Sequence, residues 1–251
     1  MYRRHLRSRP RPGRVPLVRA LSKLGIASRA EAHTRVRLGQ VTVDGAVVTD
    51  PALLVVPERA RIAVAGEEAK RPVWRTILLN KPRGVVTTRR DPEGRRTVFD
   101  LLGDEAQGLV AVGRLDLASS GLLLLTTDTQ LANRLTDPAS AVVRRYVVTV
   151  RGAMTDAEAA RMTAGIHGLR AHSVRVRKRS TRETHLIVEL VEGKNREIRR
   201  LCGSVGHEVT ALKRIAFGGL ELGDLAPGAW RPVSREEAEQ AGNTAAQPRR
   251  R

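Results

Sequence analysis

Three features of the sequence predict an α+β fold in two parts, a small N-terminal α/β domain and a larger domain with a mixed, mainly antiparallel sheet and flanking helices. Two short apolar runs, 110–112 and 122–125, are bounded by turn residues, as buried strands are. Two alternating segments, 173–179 and 185–191, predict an antiparallel pair. Helix-start patterns separate many of the strands. Since strands outnumber helices, we expect the helices to pack on one large sheet.

The composition is strongly basic and indicates a polyanionic partner. The 251 residues include 45 Lys and Arg against 26 Asp and Glu, a formal net charge of +19. An excess of this size points to nucleic acid or to an anionic membrane. No apolar run approaches the roughly 18 residues of a membrane span, and Pro16 and Arg19 interrupt what could be the apolar core of a signal peptide. We therefore expect a nucleic-acid partner and a cytoplasmic protein without membrane association, and the single cysteine, Cys202, fits that compartment.

The first part of the chain is predicted to be a disordered basic arm, residues 1–14, followed by a compact domain over residues 15–66. The arm contains Arg and Pro with hardly any apolar content. The predicted elements of the domain are a helix from Leu17 to Leu24 that stops at Gly25, a capped helix from Ser28 to near Gly39, a hairpin of strands 41–43 and 47–48 around Asp44-Gly45, and a strand at 61–64.

This order of elements is similar to the small RNA-binding domain named after a ribosomal small-subunit protein, the αL motif. Its helical part carries five basic residues against one acid, Glu31, and we predict that they bind RNA: Arg19, Lys23, Arg29, Arg35 and Arg37. The resemblance implies that the capped helix and the loop after it lie against RNA, which applies to Ser28, Arg29, Arg37 and Gly39.

The larger domain is predicted to span residues 75–238, after a charged linker over 67–74 and before a second disordered basic tail over 239–251. Its predicted strands are 76–80, 110–112, 122–125, 145–150, 173–179, 185–191 and 208–217, and its predicted helices are 97–102, one containing 131–135, 155–165, 197–205 and one that starts at Ser234. Pro82 and Gly84 form a turn that offers Lys81 to an anion, which predicts Lys81 as a substrate-binding residue.

The triplet Arg114-Leu115-Asp116 lies on the predicted turn between the two apolar runs. A lone Asp in such a place more often caps the turn and pairs with a neighbouring Arg, but connections between rigid strands also carry reactive groups. Gly113 to Asp116, followed by Gly121 and a leucine run, resembles the signature of the RsuA-type rRNA pseudouridine synthases. The resemblance implies that Asp116 is catalytic and that Arg114 fills the space left by a flipped uridine.

A carboxylate that must stay ionised in a closed pocket needs a fixed cation nearby, and Arg suits this role best. In a helix, Arg196, Arg199 and Arg200 share one face, which can equally bind phosphates. The segment 192–202 resembles the second signature of the same family. That resemblance implies that Arg199 pairs with the catalytic Asp, which leaves Arg196 and Arg200 for RNA phosphates.

Two further residues complete the predicted site. Tyr146 lies on a predicted strand, where a tyrosine usually fills the core; the resemblance implies that it stacks on the target uracil and helps to move a proton. Leu212 resembles the apolar residue that packs beneath the base, although ordinary core packing explains it equally well. The pair Arg144-Arg145 before Tyr146 departs slightly from the family pattern and keeps its charge.

The implied reaction breaks the N-glycosidic bond of a uridine, turns the uracil and rejoins it through C5, so it needs no cofactor and no metal. Asp116 can attack the ribose or the uracil ring, or stabilise a glycosyl cation, after the base has left the RNA stack. The segment 87–100 more closely resembles the branch that modifies large-subunit rRNA, and we expect a monomer that acts on that RNA or on a pre-ribosomal particle.

Three other classes of protein compete with this hypothesis. A non-catalytic RNA-binding or ribosome-assembly protein would share the basic charge, but it would have no need to keep Asp116, Tyr146 and Arg199 together. A glycoside hydrolase needs a second, acidic carboxyl group and sugar-stacking aromatics, whereas the chain has two Trp, two Tyr and two Phe. A metalloenzyme needs ligands, and His167 and His172 have no Cys or carboxylate cluster near them in the sequence.

Overall fold

The computed structural model describes residues 13–57, 59–68 and 73–243, without the side chains of Lys23 and Asn243. The chain separates into two units between Val73 and Trp74. Most of the predicted basic arm, residues 1–12, and the last eight residues of the predicted tail, 244–251, lie outside the described residues. None of the described helices is long and apolar enough to cross a membrane.

The N-terminal unit combines two helices with short antiparallel strands. Its elements are β1 (Val15–Pro16), α1 (Leu17–Lys23), α2 (Arg29–Arg37), β2 (Val41–Val43), β3 (Ala46–Val48), β4 (Leu54–Val55), β5 (Ile62–Val64) and β6 (Glu67–Glu68). The strand order is β3-β2-β5-β6, and β1 pairs with β4. Leu17 and Leu21 of α1 and Ala32 and Val36 of α2 repeat at i, i+4, so each helix buries one apolar face against the other elements.

The second unit contains one large sheet with helices on both faces. Its elements are β7 (Thr76–Lys81), α3 (Val98–Leu102), β8 (Val110–Val112), β9 (Ser120–Thr126), α4 (Thr129–Thr136), β10 (Arg144–Arg151), α5 (Asp156–Ala164), β11 (Ser173–Arg179), β12 (Glu183–Leu190), α6 (Glu197–Ser204), β13 (Val209–Phe217), β14 (Leu220–Glu221), β15 (Trp230–Val233) and α7 (Arg235–Asn243). The main strand order is β11-β12-β10-β13-β9-β7-β15, with β8 on β9 and β14 on β13. Helices α3, α5 and α6 pack into the core on one face, and α4 and α7 pack on the other.

The predicted fold class is confirmed: among the described residues the sheet is antiparallel except where β13 runs parallel to β9. That parallel pair lies at the centre of the sheet and joins its two antiparallel halves. Gly121 makes it possible, because an added Cβ would stand 2.1 Å from the carbonyl oxygen of Arg214, and because its φ of +103° suits glycine alone. The loop before β9 is thereby brought beside β13.

Ordered secondary structure extends beyond the predicted domains at two places. Glu67 and Glu68, which we predicted to be linker, form β6 and pair with β5, so they extend the N-terminal sheet. Residues 239–243, which we predicted to be tail, continue α7, because Ala238 and Ala241 of this helix are buried against the core of the second unit. In both places, tertiary contacts order a polar segment: pairing with β5 orders residues 67–68, and packing of α7 on the core orders residues 239–243.

Candidate active site

The connection between β8 and β9 presents the Asp116 carboxylate to a cleft. Gly113 turns the chain with a φ of +72°, and the amide of Ser119 donates to the carbonyl oxygen of Asp116 at 2.9 Å. The Thr87 hydroxyl donates to the carbonyl oxygen of Leu115 at 2.9 Å and so anchors the loop from outside. Asp116 is half-buried, and its carboxylate has no hydrogen bond or ion pair with any described residue. The loop is held by its backbone, which leaves the carboxylate free.

The cleft has a volume of about 770 Å³ and is strongly basic. It brings together six of the predicted site residues, which are Arg114, Asp116, Tyr146, Arg196, Arg199 and Leu212. It is also lined by Arg144, Lys194 and Arg214, against Asp116, Glu192 and Glu197 as its acids. Arg200 and Lys81 are not among the lining residues. A cleft with this excess of cations suits a phosphate-bearing substrate.

Tyr146 and Leu212 occupy the same face of two neighbouring strands. In the β10–β13 register Val148 lies opposite Leu212 and Tyr146 opposite Arg214, so the period of two along each strand puts Tyr146, Leu212 and Arg214 on one side. Both apolar side chains are buried and face the core around α6. Their predicted roles against a flipped base therefore stay open, since they also fill the core.

Arg199 contacts the Asp116 loop through its backbone. Its guanidinium donates to the carbonyl oxygens of Val209 at 3.0 Å and of Ala118 at 3.3 Å. The predicted direct pairing with Asp116 is absent from the described contacts, although burial lowers the pKa of Arg199 and the charges of Arg196 and Asp116 also act on it, in opposite directions. The guanidinium joins α6, β13 and the loop and lies within electrostatic range of the carboxylate.

The Arg199→Lys variant is expected to lose activity because an ammonium group cannot reproduce the planar fork with which the guanidinium donates to the carbonyl oxygens of Val209 and Ala118. Each lost charged hydrogen bond costs about 1.5–3 kcal/mol, so the free energy of unfolding should fall as well. Urea unfolding and single-turnover rates measure the two effects. Arg161→Lys, on the exposed face of α5, is the matched control and should behave as wild type. If Arg199→Lys were as active as Arg161→Lys, Arg199 would not be needed to hold the Asp116 loop.

The other predicted arginines of α6 differ in their placement. Arg196 precedes the helix in a left-handed conformation with a φ of +50° and is exposed at the cleft. Arg200 is exposed in the first turn but lies outside the cleft lining. Arg196 therefore does not share a helical face with Arg199 and Arg200, because the helix begins only at Glu197. Arg114 is exposed at the cleft.

The structure buries Lys81, which we expected to lie on an exposed turn. As the last residue of β7, Lys81 pairs with Gly121 of β9 and has an exposure of 0%. Its ammonium donates to the carbonyl oxygens of Ser119 at 2.8 Å and Pro82 at 2.9 Å. Burial lowers its pKa to about 8, with Asp116 opposing and Arg214 adding to the shift. Lys81 thus supports the Asp116 loop from inside and does not face an anion in solvent.

Sequence reasoning missed two buried arginines and a buried acid at this cleft. Arg144 donates to the carbonyl oxygens of Val142, Val191 and Leu135. Arg214 lies on the same strand face as Leu212, a relation that the period of two along the strand could have revealed. Glu197 is buried, which raises its pKa, and one of its carboxyl oxygens accepts from the Lys194 amide.

On the N-terminal unit, the structure leaves Arg19, Arg29 and Arg37 exposed, while Arg35 forms an ion pair with Glu31 at 2.7 Å. The Ser28 hydroxyl accepts from the Glu31 amide at 3.2 Å and so begins α2 as predicted. Lys23 has no described side chain. Three of the predicted RNA-binding arginines are therefore free of an acidic partner among the described residues.

A small basic unit precedes a mixed-sheet unit that has a free carboxylate in an arginine-lined cleft, and this is the arrangement expected of a two-domain RNA-modifying enzyme. Residues 75–204 match the RNA pseudouridylate synthase family, and residues 15–59 match the S4 domain. The chain belongs to the RNA pseudouridylate synthase family and carries an S4 domain. The predicted resemblance to the RsuA-type synthases is thereby confirmed.

Relatives extend along most of the chain. An uncharacterized RNA pseudouridine synthase of Aquifex aeolicus is 36% identical, with 90% of this chain and 93% of the relative covered. The ribosomal large subunit pseudouridine synthase B of Haemophilus influenzae is 36% identical, covering 91% and 67%, and that of Yersinia pestis is 38% identical, covering 85% and 71%. A crystal structure of a pseudouridylate synthase aligns with a TM-score of 0.63 at 25% identity over 90% of this chain and 99% of the other.

Proposed function

We propose that this protein converts a uridine of large-subunit rRNA to pseudouridine, with Asp116 as the nucleophile. The observation that carries the proposal is the Asp116 carboxylate, which is fixed by its loop yet unpaired in the cleft that also contains Tyr146, Leu212 and Arg199. A nucleophile must be positioned and must keep its lone pairs available. The names of the relatives, and the segment 87–100, support large-subunit rRNA as the substrate.

The roles of the other residues follow from their positions. The flipped uracil would enter the cleft between Tyr146 and Leu212, while Arg114, exposed at the cleft, takes the vacated space in the RNA. Arg196 and Arg200, both exposed, would contact phosphates. Arg199 holds the Asp116 loop through Ala118, and Lys81 supports the same loop from inside. The isomerisation gains and loses no atom, so these side chains suffice without a cofactor. A monomer in the cytoplasm remains our prediction.

Mapping pseudouridines tests the proposal directly. Large-subunit and small-subunit rRNA from cells with and without this gene should differ at a position in the large-subunit RNA, and purified protein should restore the modification on transcribed RNA. If the cells without the gene instead lack a pseudouridine in small-subunit rRNA, the substrate is small-subunit rRNA. Identical maps, together with no turnover by the purified protein, would contradict the proposed function.

The exposed arginines of α2 are expected to set the salt dependence of RNA binding. Each phosphate that the protein no longer neutralises lowers the slope of log affinity against log salt by about 0.7–0.9. The double variant Arg29→Gln with Arg37→Gln should therefore bind rRNA fragments more weakly and with a shallower slope, while its turnover at saturating RNA stays close to wild type, because these residues belong to the N-terminal unit. Salt titrations of binding and single-turnover assays measure both quantities.

The matched control for this variant removes the same charge elsewhere on the N-terminal unit. Arg59 and Arg61 are exposed and lie in the chain segment that leads into β5. Replacing both with Gln should change the slope less. Equal slopes for the two double variants would show that the charge of the unit acts as a whole and that α2 is not the contact surface.

A further inference from the structure

Arg214 is a buried cation with a donor that no protein group satisfies. Its exposure is 2%, and its Nε donates to the carbonyl oxygen of Leu122 at 2.7 Å. Its Nη2 has no hydrogen-bond partner among the described residues. A buried charged donor left unpaired costs more than an ordinary broken hydrogen bond. Such a group needs a partner that the protein itself does not supply, and sites of catalysis or ligand binding are where these groups occur.

The neighbouring buried cations, Lys81 and Arg144, have no comparable unsatisfied donor among the described residues. Lys81 donates to two backbone carbonyl oxygens, and Arg144 donates to three. No acidic side chain of the described residues forms an ion pair with either of them or with Arg214. These three buried cations therefore give the region an excess of positive charge, and Nη2 of Arg214 is a buried donor that the described residues leave without a partner.

Arg214 lies beside the residues that we propose to hold the reacting base. Arg214 lies opposite Tyr146 in the β10–β13 register and two residues from Leu212 on the same strand face, and all three line the cleft with Asp116. Arg214 and Asp116 both act electrostatically on Lys81, in opposite directions. A phosphate suits an exposed arginine such as Arg196, whereas a buried, unpaired donor group suits a single carbonyl oxygen.

We propose that Nη2 of Arg214 donates a hydrogen bond to a carbonyl oxygen of the flipped uracil and stabilises the negative charge that develops on the base. When the C1′–N1 bond breaks, its electron pair passes to the uracil and spreads over the carbonyl oxygens, while C1′ bonds to the Asp116 carboxylate or remains a cation beside it. Attack of Asp116 on the ring would also place charge on a carbonyl oxygen. Rejoining through C5 returns the pair, and N1 gains the proton that C5 loses.

This inference rests on the proposed function and makes Arg214 a catalytic residue rather than a structural one. A donor that meets charge only in the transition state raises the rate more than the affinity. Arg214→Met should therefore keep RNA affinity and lower the single-turnover rate at saturating RNA by about 10²–10³-fold. Arg214→Lys keeps the charge without the planar fork and should give an intermediate rate. Lys213→Met, exposed on the opposite face of β13, is the matched control with a wild-type rate.

A change of leaving group separates this role from a loss of packing. Fluorine at C5 withdraws electrons and stabilises the uracil anion, so RNA with 5-fluorouridine at the target position should need Arg214 less. Each rate is measured as the disappearance of the original nucleoside after complete nuclease digestion of the RNA. The ratio of the wild-type rate to the variant rate should be clearly smaller for 5-fluorouridine than for uridine. If Arg214→Met does not fold, Arg214→Lys provides the same comparison.

Three outcomes would overturn the inference. One is a wild-type rate in both Arg214 variants, and another is a rate deficit equal for uridine and 5-fluorouridine, which would indicate a structural role. The third is a loss confined to RNA affinity, which would indicate a phosphate contact. If the wild-type protein forms pseudouridine and one of these outcomes occurs, only the inference about Arg214 fails. If the wild-type protein forms no pseudouridine, the inference and the proposed function both fail.

Discussion

Asp116→Asn is expected to abolish pseudouridine formation while the fold and the RNA affinity stay close to wild type. The amide has the same shape but carries no charge, so it can neither attack carbon nor stabilise a glycosyl cation. Removing a central member of a catalytic group lowers kcat by about 10⁴- to 10⁶-fold. Because the Asp116 carboxylate makes no hydrogen bond or ion pair with the described residues, the substitution removes no such interaction from the folded state.

Three measurements on the purified Asp116→Asn protein check this result: turnover on target RNA, the dissociation constant for that RNA, and thermal unfolding. Asp224→Asn is the matched control, because Asp224 is an exposed acid of the same unit with no ion pair in the described structure. The control should react at the wild-type rate. Measurable turnover by Asp116→Asn with normal kinetics would remove Asp116 from the reaction and leave Glu197 as the other buried carboxyl of the cleft.

Gly121→Ala is expected to lower the stability of the second unit severely. The added Cβ would stand 2.1 Å from the carbonyl oxygen and 2.7 Å from the nitrogen of Arg214, both backbone atoms of the neighbouring strand. Relief requires β9 and β13 to separate, which breaks the one parallel pairing described in the sheet. Losses of free energy of unfolding above about 4–5 kcal/mol are typical of such severe steric conflicts, so the second unit should unfold or unfold at much lower urea.

Gly168→Ala controls for the backbone conformation alone. Gly168 has a φ of +73°, yet no heavy atom lies within 4 Å of its added Cβ. It should cost about 1–2 kcal/mol, the penalty for an L-residue in the left-handed region. Urea unfolding followed by circular dichroism compares the two variants. If Gly121→Ala were as stable as Gly168→Ala, the close approach of β9 to β13 would be wrong, and the placement of Arg214 beside the Asp116 loop would be wrong with it.

Local patterns in the sequence were sufficient to predict most elements. Asp44-Gly45 gives the β2–β3 hairpin, with both residues at positive φ. Thr155 and Glu158 form a reciprocal capping box at the start of α5, and the alternating segments pair as β11 and β12. These features involve residues a few positions apart, so the physical cause is visible in the sequence. The same applies to Asp116, which follows a strand and a glycine turn.

The tertiary structure alone decided which charges face the substrate. Lys81 is buried because β7 pairs with β9, a strand far along the chain that the turn pattern does not reveal. Arg199 reaches Ala118 and not Asp116 because its distance to the loop depends on how α6 packs beside β13. Arg214 lines the cleft because β13 pairs with β10 on one side and with β9 on the other. Burial and unmet hydrogen bonds are properties of groups assembled from distant segments, whereas a sequence pattern records the preferences of near neighbours.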